Sequence, residues 1–229
     1  MKTILITGAN RGLGFELAKQ YHSAGWRVIA CCRDPEYAEK LRYLSNNTDT
    51  LLIIKLDIFK IEEIKNLTTK LANETIDILI NNAGVYSDDL SLDDIDPETW
   101  LETFKINTIA PVMIAQALIS QIARGQDKII VNISSSMASI DMNRSGDHCI
   151  YRTTKAALNA ATRCMAMEYK NKSIAVLALD PGWVQTDMGG SGAQITPEKS
   201  VNSIRSILEL LTLESSGEFI SYDGKRLSW

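Results

Sequence analysis

Thr3-Ile4-Leu5-Ile6-Thr7-Gly8-Ala9-Asn10-Arg11-Gly12-Leu13-Gly14 is the stretch on which the reading of the whole chain turns. Its first five residues form an apolar run of strand length. Three glycines follow, and apolar residues then recur with helical spacing from Gly12 to Ala24. Glycines let a backbone turn tightly and approach a ligand closely. A helix N-terminus offers free N–H groups and the positive end of its dipole to an anion. A glycine loop alone is a weak signal, since a plain strand-to-helix turn uses the same residues. Between a strand and a helix it meets the context that a dinucleotide pyrophosphate site requires. Its spacing is not GxGxxG, so the phosphates are expected to pass it differently.

Outward from this stretch the alternation repeats. Runs rich in Val, Ile and Leu at 27–31, 51–56, 76–80, 128–133, 174–179 and 218–221 are separated by helical patterns at 35–45, 61–73, 97–123, 150–169 and 197–213. Most runs are continuously apolar, as for strands covered on both faces. The pattern predicts an α/β fold: one doubly wound, Rossmann-type domain over 1–229, with about seven parallel strands and helices on both faces. Asp34-Pro35 and Asp96-Pro97 read as N-caps followed by proline at the first helical position. The acidic run from Asp88 to Asp96 reads as solvated loop and helix start rather than a metal site.

Composition narrows the partners. Of 229 residues 45% are apolar and 23% charged, as in a globular protein, and the net charge of −4 argues against nucleic-acid or anionic-membrane partners. The four cysteines form no CxxC pair, which suits reduced thiols and a cytoplasmic protein. Two distant histidines, His22 and His148, leave little for a zinc site or a histidine-dependent triad. No uninterrupted apolar run approaches membrane-spanning length.

The second strand addresses the nucleotide. It ends at Cys31-Cys32-Arg33, where an acidic residue would bond a bare ribose and an arginine would accept a 2′-phosphate. Arg33 is placed for the phosphate, with Arg11 as a second cation; Asp34, the rival, is accounted for as a cap. NADPH rather than NADH is the expectation.

Two further patterns carry chemistry. Tyr151 and Lys155 are four residues apart and so share a helix face, and a nearby cation favours ionisation of a phenol. An exposed i,i+4 pair would read the same way, although none of the other tyrosines has Lys at +4. Ser134-Ser135-Ser136 ends a buried strand, where open α/β sheets bind ligands and where a turn would also favour serine. Pro111, four residues after Asn107, cannot donate to the Asn107 carbonyl, which predicts a local kink.

Together these residues resemble the short-chain dehydrogenase/reductases over the full chain. Thr7 to Gly14 looks like the family's TGxxxGxG motif, Asn81-Asn82-Ala83-Gly84 its NNAG motif, and Tyr151-Arg152-Thr153-Thr154-Lys155 its YxxxK motif. The segments 181–190 and 222–229 look like the sniffer-type carbonyl reductase and C-factor branch. One departure is the Ser135-to-Tyr151 spacing, three residues longer than the family pattern; the loop 142–149 is expected to absorb it.

The resemblance implies Asn107, Ser135, Tyr151 and Lys155 as catalytic residues, and a water at the Asn107 carbonyl that relays protons from Lys155. It implies cofactor contacts from Gly8, Asn10, Arg11, Gly12, Leu13, Gly14, Arg33, Asp57 and Ile58 (at the adenine), Asn81, Ala83, Gly84, Tyr151, Lys155, Pro181, Gly182, Val184 and Thr186 (at the nicotinamide amide). No metal is implied. A glycine-rich substrate loop near 187–196 would close over the site, and Trp183 and Trp229 would either wall an apolar pocket or serve plain packing. The activity implied is NADPH-dependent reduction of an aldehyde, ketone or quinone; the alternative is a nucleotide-binding signalling or sensor protein of C-factor type. A homodimer or homotetramer paired through the long helices is permitted. A sugar-nucleotide epimerase is disfavoured because the chain is too short for a separate substrate domain.

Overall fold

The computed structural model describes residues 1–46 and 48–229. Seven strands form one sheet: β1 (Thr3–Thr7), β2 (Arg27–Cys32), β3 (Leu51–Lys55), β4 (Ile78–Asn81), β5 (Ile129–Ile133), β6 (Ala175–Asp180) and β7 (Phe219–Ser221). Their order is β3-β2-β1-β4-β5-β6-β7, and every pairing is parallel. The order reverses between β1 and β4, so a crevice opens at their carboxyl ends.

The continuous apolar runs are explained by two cores. Alternate strand residues point to opposite faces. Ile4, Ile6, Val28, Ile80 and Leu177 pack with α1 (Gly12–Ser23), α2 (Glu39–Ser45) and α7 (Pro197–Leu210). Leu5, Ile29, Leu79, Ile130 and Val176 pack on the other side with α3 (Ile61–Lys70), α5 (Ala110–Ala123) and α6 (Cys149–Tyr169). Most of these side chains are fully buried, each contributing about 1.5–3 kcal/mol.

Three expectations need correction. The helix expected over 35–45 is broken: a single 3₁₀ turn, Pro35–Tyr37, precedes α2, because Ala38 leaves helical geometry as it enters the core. Asp34 makes no side-chain capping bond there, whereas Asp96 does cap α4 (Pro97–Phe104), accepting from Thr99 N–H at 2.8 Å. The acidic run is not all solvated either. Asp89 is buried, its carboxylate accepting from Ile150 N–H at 3.1 Å and from the Ser87 hydroxyl, so it caps the start of α6.

The helical stretch Pro97–Ala123 is long and apolar enough to cross a membrane by length and composition, but half of its most apolar window is buried, with α5 packed on α3 and β4. Between α4 and α5, residues Lys105–Ile109 wind as a π-helix, with Ala110 N–H donating five residues back to Lys105 C=O. The proline at 111 thus produces a π-bulge, a feature frequent at functional sites.

Candidate active site

The glycine loop leaves β1 and enters α1 with Gly8 at φ +65° and Gly12 at φ +53°, both in the left-handed region that glycine adopts without strain. A Cβ on Gly14 would lie 2.3 Å from the Gly8 carbonyl oxygen, and one on Gly12 would lie 3.1 Å from Thr186 Cγ2. Asn82 holds this turn. Its amide donates to Thr7 C=O (2.8 Å) and Gly8 C=O (3.2 Å), while the backbone N–H groups of Asn82 and Ala83 both donate to the Thr7 hydroxyl at 3.0 Å. Sequence reasoning left Asn82 out of the site; its place inside the NNAG motif was the available signal. Helix α1 has neither a side-chain N-cap nor an acidic residue in its first turn. Its leading N–H groups are therefore suited to an outside anion, and the missing Cβ atoms of Gly12 and Gly84 let the glycine loop approach Thr186 and the NNAG segment approach Asn107 and Lys155.

Neighbouring strand ends contribute less uniformly. Arg33 and Asp34 are both exposed beyond β2, and Asp34, which makes no capping bond, is open to a ribose hydroxyl as much as Arg33 is to a phosphate. Arg11 is not a free cation: it pairs with Asp187 at 3.2 Å, both side chains being largely exposed. Asp57 receives Phe59 N–H on its carboxylate (3.1 Å), and its own N–H donates to Glu63 (2.8 Å). Ile58 is buried. Asn81 faces inward, donating to Pro111 C=O (3.2 Å) and Asn132 Oδ1 (2.9 Å), so its side chain braces β4 against α5 and β5.

The segment after β6 is tied rather than loose. Gly182 adopts φ +77°, Pro181 C=O accepts from Ser200, and Val184 is buried and bridges to Ile195. A Cβ on Gly189 would lie 2.0 Å from Val184 C=O, and the Trp183 indole donates to Gly189 C=O at 2.7 Å. At least at Gly189, glycine serves close packing rather than flexibility. Trp183 remains 56% exposed, while Trp229 stacks on Phe219.

On α6, Tyr151 and Lys155 are both buried, with Lys155 Nζ 5.7 Å from the Tyr151 ring centre. The Lys155 ammonium donates to Ile133 C=O at 2.8 Å and lies 3.5 Å from where a Cβ on Gly84 would sit. Asn107, in the π-helix, is fully buried. Its Oδ1 accepts from Val85 N–H (2.9 Å), and its Nδ2 donates to Val85 C=O (2.9 Å) and the Thr154 hydroxyl (3.1 Å). Ser135 lies beside the Tyr151 hydroxyl. Ser134 turns away to donate to Asn159 at 2.6 Å, as strand alternation requires. Among the described residues no three His, Cys, Asp or Glu side chains gather as metal ligands.

The electrostatics differ from the simple phenol-plus-ammonium picture. Burial pushes the Tyr151 phenol well above its ordinary range, opposed by the Ser135 hydroxyl, and burial lowers Lys155 to about 8. Desolvation is the largest influence on the phenol and the Asp180 carboxylate adds to it, so Tyr151 keeps its proton near neutrality.

The family model for short chain dehydrogenases matches residues 2–194. The C-signal of Myxococcus xanthus is 35% identical over 70% of this chain and 97% of that protein. The carbonyl reductase Sniffer of D. melanogaster superposes with a TM-score of 0.93 at 31% identity, covering all of both chains. An NADPH-bound carbonyl reductase from chicken fatty liver superposes with a TM-score of 0.93 at 32% identity, covering 100% of this chain and 99% of that one. With its all-parallel sheet and its glycine loop held by Asn82, the chain belongs to the short-chain dehydrogenase family, on the branch shared with the Sniffer carbonyl reductase and the C-signal.

Proposed function

We propose that the chain is an NADPH-dependent carbonyl reductase that converts an aldehyde, ketone or quinone into an alcohol. The observation that carries this reading is the convergence of Tyr151, Lys155, Ser135 and Asn107 beside the glycine-lined crevice. Likeness to two carbonyl reductases supports it, one of them described as NADPH-bound.

Gly8, Asn10, Gly12, Leu13 and Gly14 would hold the pyrophosphate; Arg33, joined by Arg11 once it leaves its exposed partner Asp187, the 2′-phosphate; Asp57 and Ile58 the adenine; and Ala83, Gly84, Pro181, Gly182, Val184 and Thr186 the nicotinamide side, with Asn81 bracing the strand beneath. The dinucleotide, when bound, supplies the hydride. Tyr151, protonated because it is buried, donates its phenolic proton to the carbonyl oxygen. The Ser135 hydroxyl donates to that oxygen as negative charge develops on it. Lys155 provides the positive field that stabilises the phenolate left behind, and Asn107 clamps Val85 so that the wall of the crevice stays in place. The segment 187–196 would cover the substrate.

A pH dependence follows. Lys155 titrates near 8, so its ammonium is present below that value and lost above it. Reduction is expected to slow as pH rises through about 8, and a flat NADPH-oxidation profile up to pH 10 would remove Lys155 from this role.

Cofactor choice is tested at the end of β2. Arg33→Ala should weaken NADPH binding by about 10–100-fold, the worth of a charge-assisted hydrogen bond, and leave NADH within a few-fold. Asp34→Ala should weaken NADH alone. NADPH binding unchanged in Arg33→Ala, together with NADH bound more tightly than NADPH by the wild type in fluorescence titrations, would assign the chain to NADH.

Likeness to the C-signal favours a second reading, a nucleotide-binding signalling protein. NADPH oxidation with a panel of aldehydes, ketones and quinones separates the two, since a sensor binds the nucleotide without consuming it.

A further inference from the structure

Tyr86 follows the NNAG segment and stands against Tyr151. Their ring centres are 5.0 Å apart at 62°, an edge-to-face contact. The Tyr86 hydroxyl lies 2.9 Å from His148 Nδ1, and the two rings are 5.2 Å apart. Its backbone neighbour Val85 is clamped on both sides by the Asn107 amide. Tyr86 is thus fixed at its backbone and at its hydroxyl, yet 38% of it remains exposed.

His148 is held with equal care. It immediately precedes α6 at φ 53° and ψ 43°, a left-handed conformation that costs a non-glycine residue of order 1 kcal/mol or more. Its N–H donates to Asp89 C=O at 2.8 Å. The preceding Asp147 is gripped by Arg152, which donates to its carbonyl (2.7 Å) and its carboxylate (2.9 Å) and to Ser145 (3.0 Å). His148 and Asp147 both lie in the segment lengthened relative to the family spacing. The lengthened loop therefore brings a side chain to Tyr86 and locks it.

We propose that Tyr86, held by His148, is a positioning and specificity-determining residue: a fixed aromatic wall beside Tyr151 that selects the carbonyl substrate by the width of its substituents. This rests on the carbonyl-reductase reading. A carbonyl oxygen that reaches the Tyr151 hydroxyl brings its substituents alongside the ring packed on Tyr151. With the hydroxyl tethered, that ring cannot rotate aside, so narrow aldehydes enter and broad aryl ketones are resisted. Releasing the tether lets the ring move and widens the passage.

The test is a double-mutant cycle read on the ratio of kcat/KM for a broad aryl ketone to that for an unbranched aldehyde. Tyr86→Phe keeps the ring and removes the hydroxyl. His148→Gly removes the tether at a position whose backbone glycine adopts freely, and His148→Asn, also tolerant of that conformation, serves as a second variant. Each should raise the ratio roughly tenfold, chiefly through KM of the ketone. The Tyr86→Phe/His148→Gly pair should do no more than either change alone, because both cut one bond. An unchanged ratio, or effects that simply multiply, overturns the proposal while the function stands. A wild-type chain that reduces neither substrate overturns the function and, with it, this proposal.

Discussion

Tyr151→Phe should lower turnover of carbonyl substrates by about 10³-fold while cofactor affinity stays within about threefold. The substitution removes one oxygen and keeps the ring, so the edge contact with Tyr86 and the seat of Lys155 on Ile133 C=O both persist. What disappears is the proton. Burial keeps the phenol protonated well past neutral pH, so the wild-type donor is present across the working range, and Ser135 alone cannot replace it. Stopped-flow NADPH oxidation measures the chemical step, and nucleotide titration measures binding. Turnover that survives in the Phe variant would remove Tyr151 from the role of acid.

Gly14→Ala should damage both stability and nucleotide binding, for a different reason. Gly14 lies inside α1, where helix propensity alone would favour alanine by about 1 kcal/mol. Contact decides the sign. The new Cβ would lie 2.3 Å from the Gly8 carbonyl oxygen and 2.5 Å from Asn82 Nδ2, neither of which can retreat without breaking the bonds that tie the glycine loop to β4. Overpacking of this kind costs roughly 1–3 kcal/mol or more. We expect a Tm lower by about 5–10 °C and nucleotide binding at least about tenfold weaker. A melting temperature at or above that of the wild type would show that the loop yields freely.

Much of this architecture was legible because the physics is local. Buried parallel strands need continuous apolar runs, and the observed strands differ from the runs by one or two residues at their ends. Asp96 capped as its pattern foretold; Asp34, with the same pattern, did not, because the chain beyond it turns into the core at Ala38. Pro111 signalled a disturbed helix, yet its resolution as a π-bulge depends on packing that no single-residue rule contains. The largest gaps were contacts between residues distant in sequence. Asn82 meets Thr7, Tyr86 meets His148, and Arg11 meets Asp187 only after the sheet has assembled. Burial of Tyr151 and Lys155 was likewise invisible, and with it the desolvation that raises the phenol and lowers the ammonium.

The position of β1 between β2 and β4 bears on how this chain emerges from a ribosome. Ile4 can meet Val28 early, but its other neighbour, Ile78, is made about fifty residues later. At ordinary translation speeds that is a delay of roughly 3–10 s. During that interval the β4-facing hydrogen-bonding edge of β1 stays open to other nascent chains, so the vulnerable period of this protein's life is its synthesis.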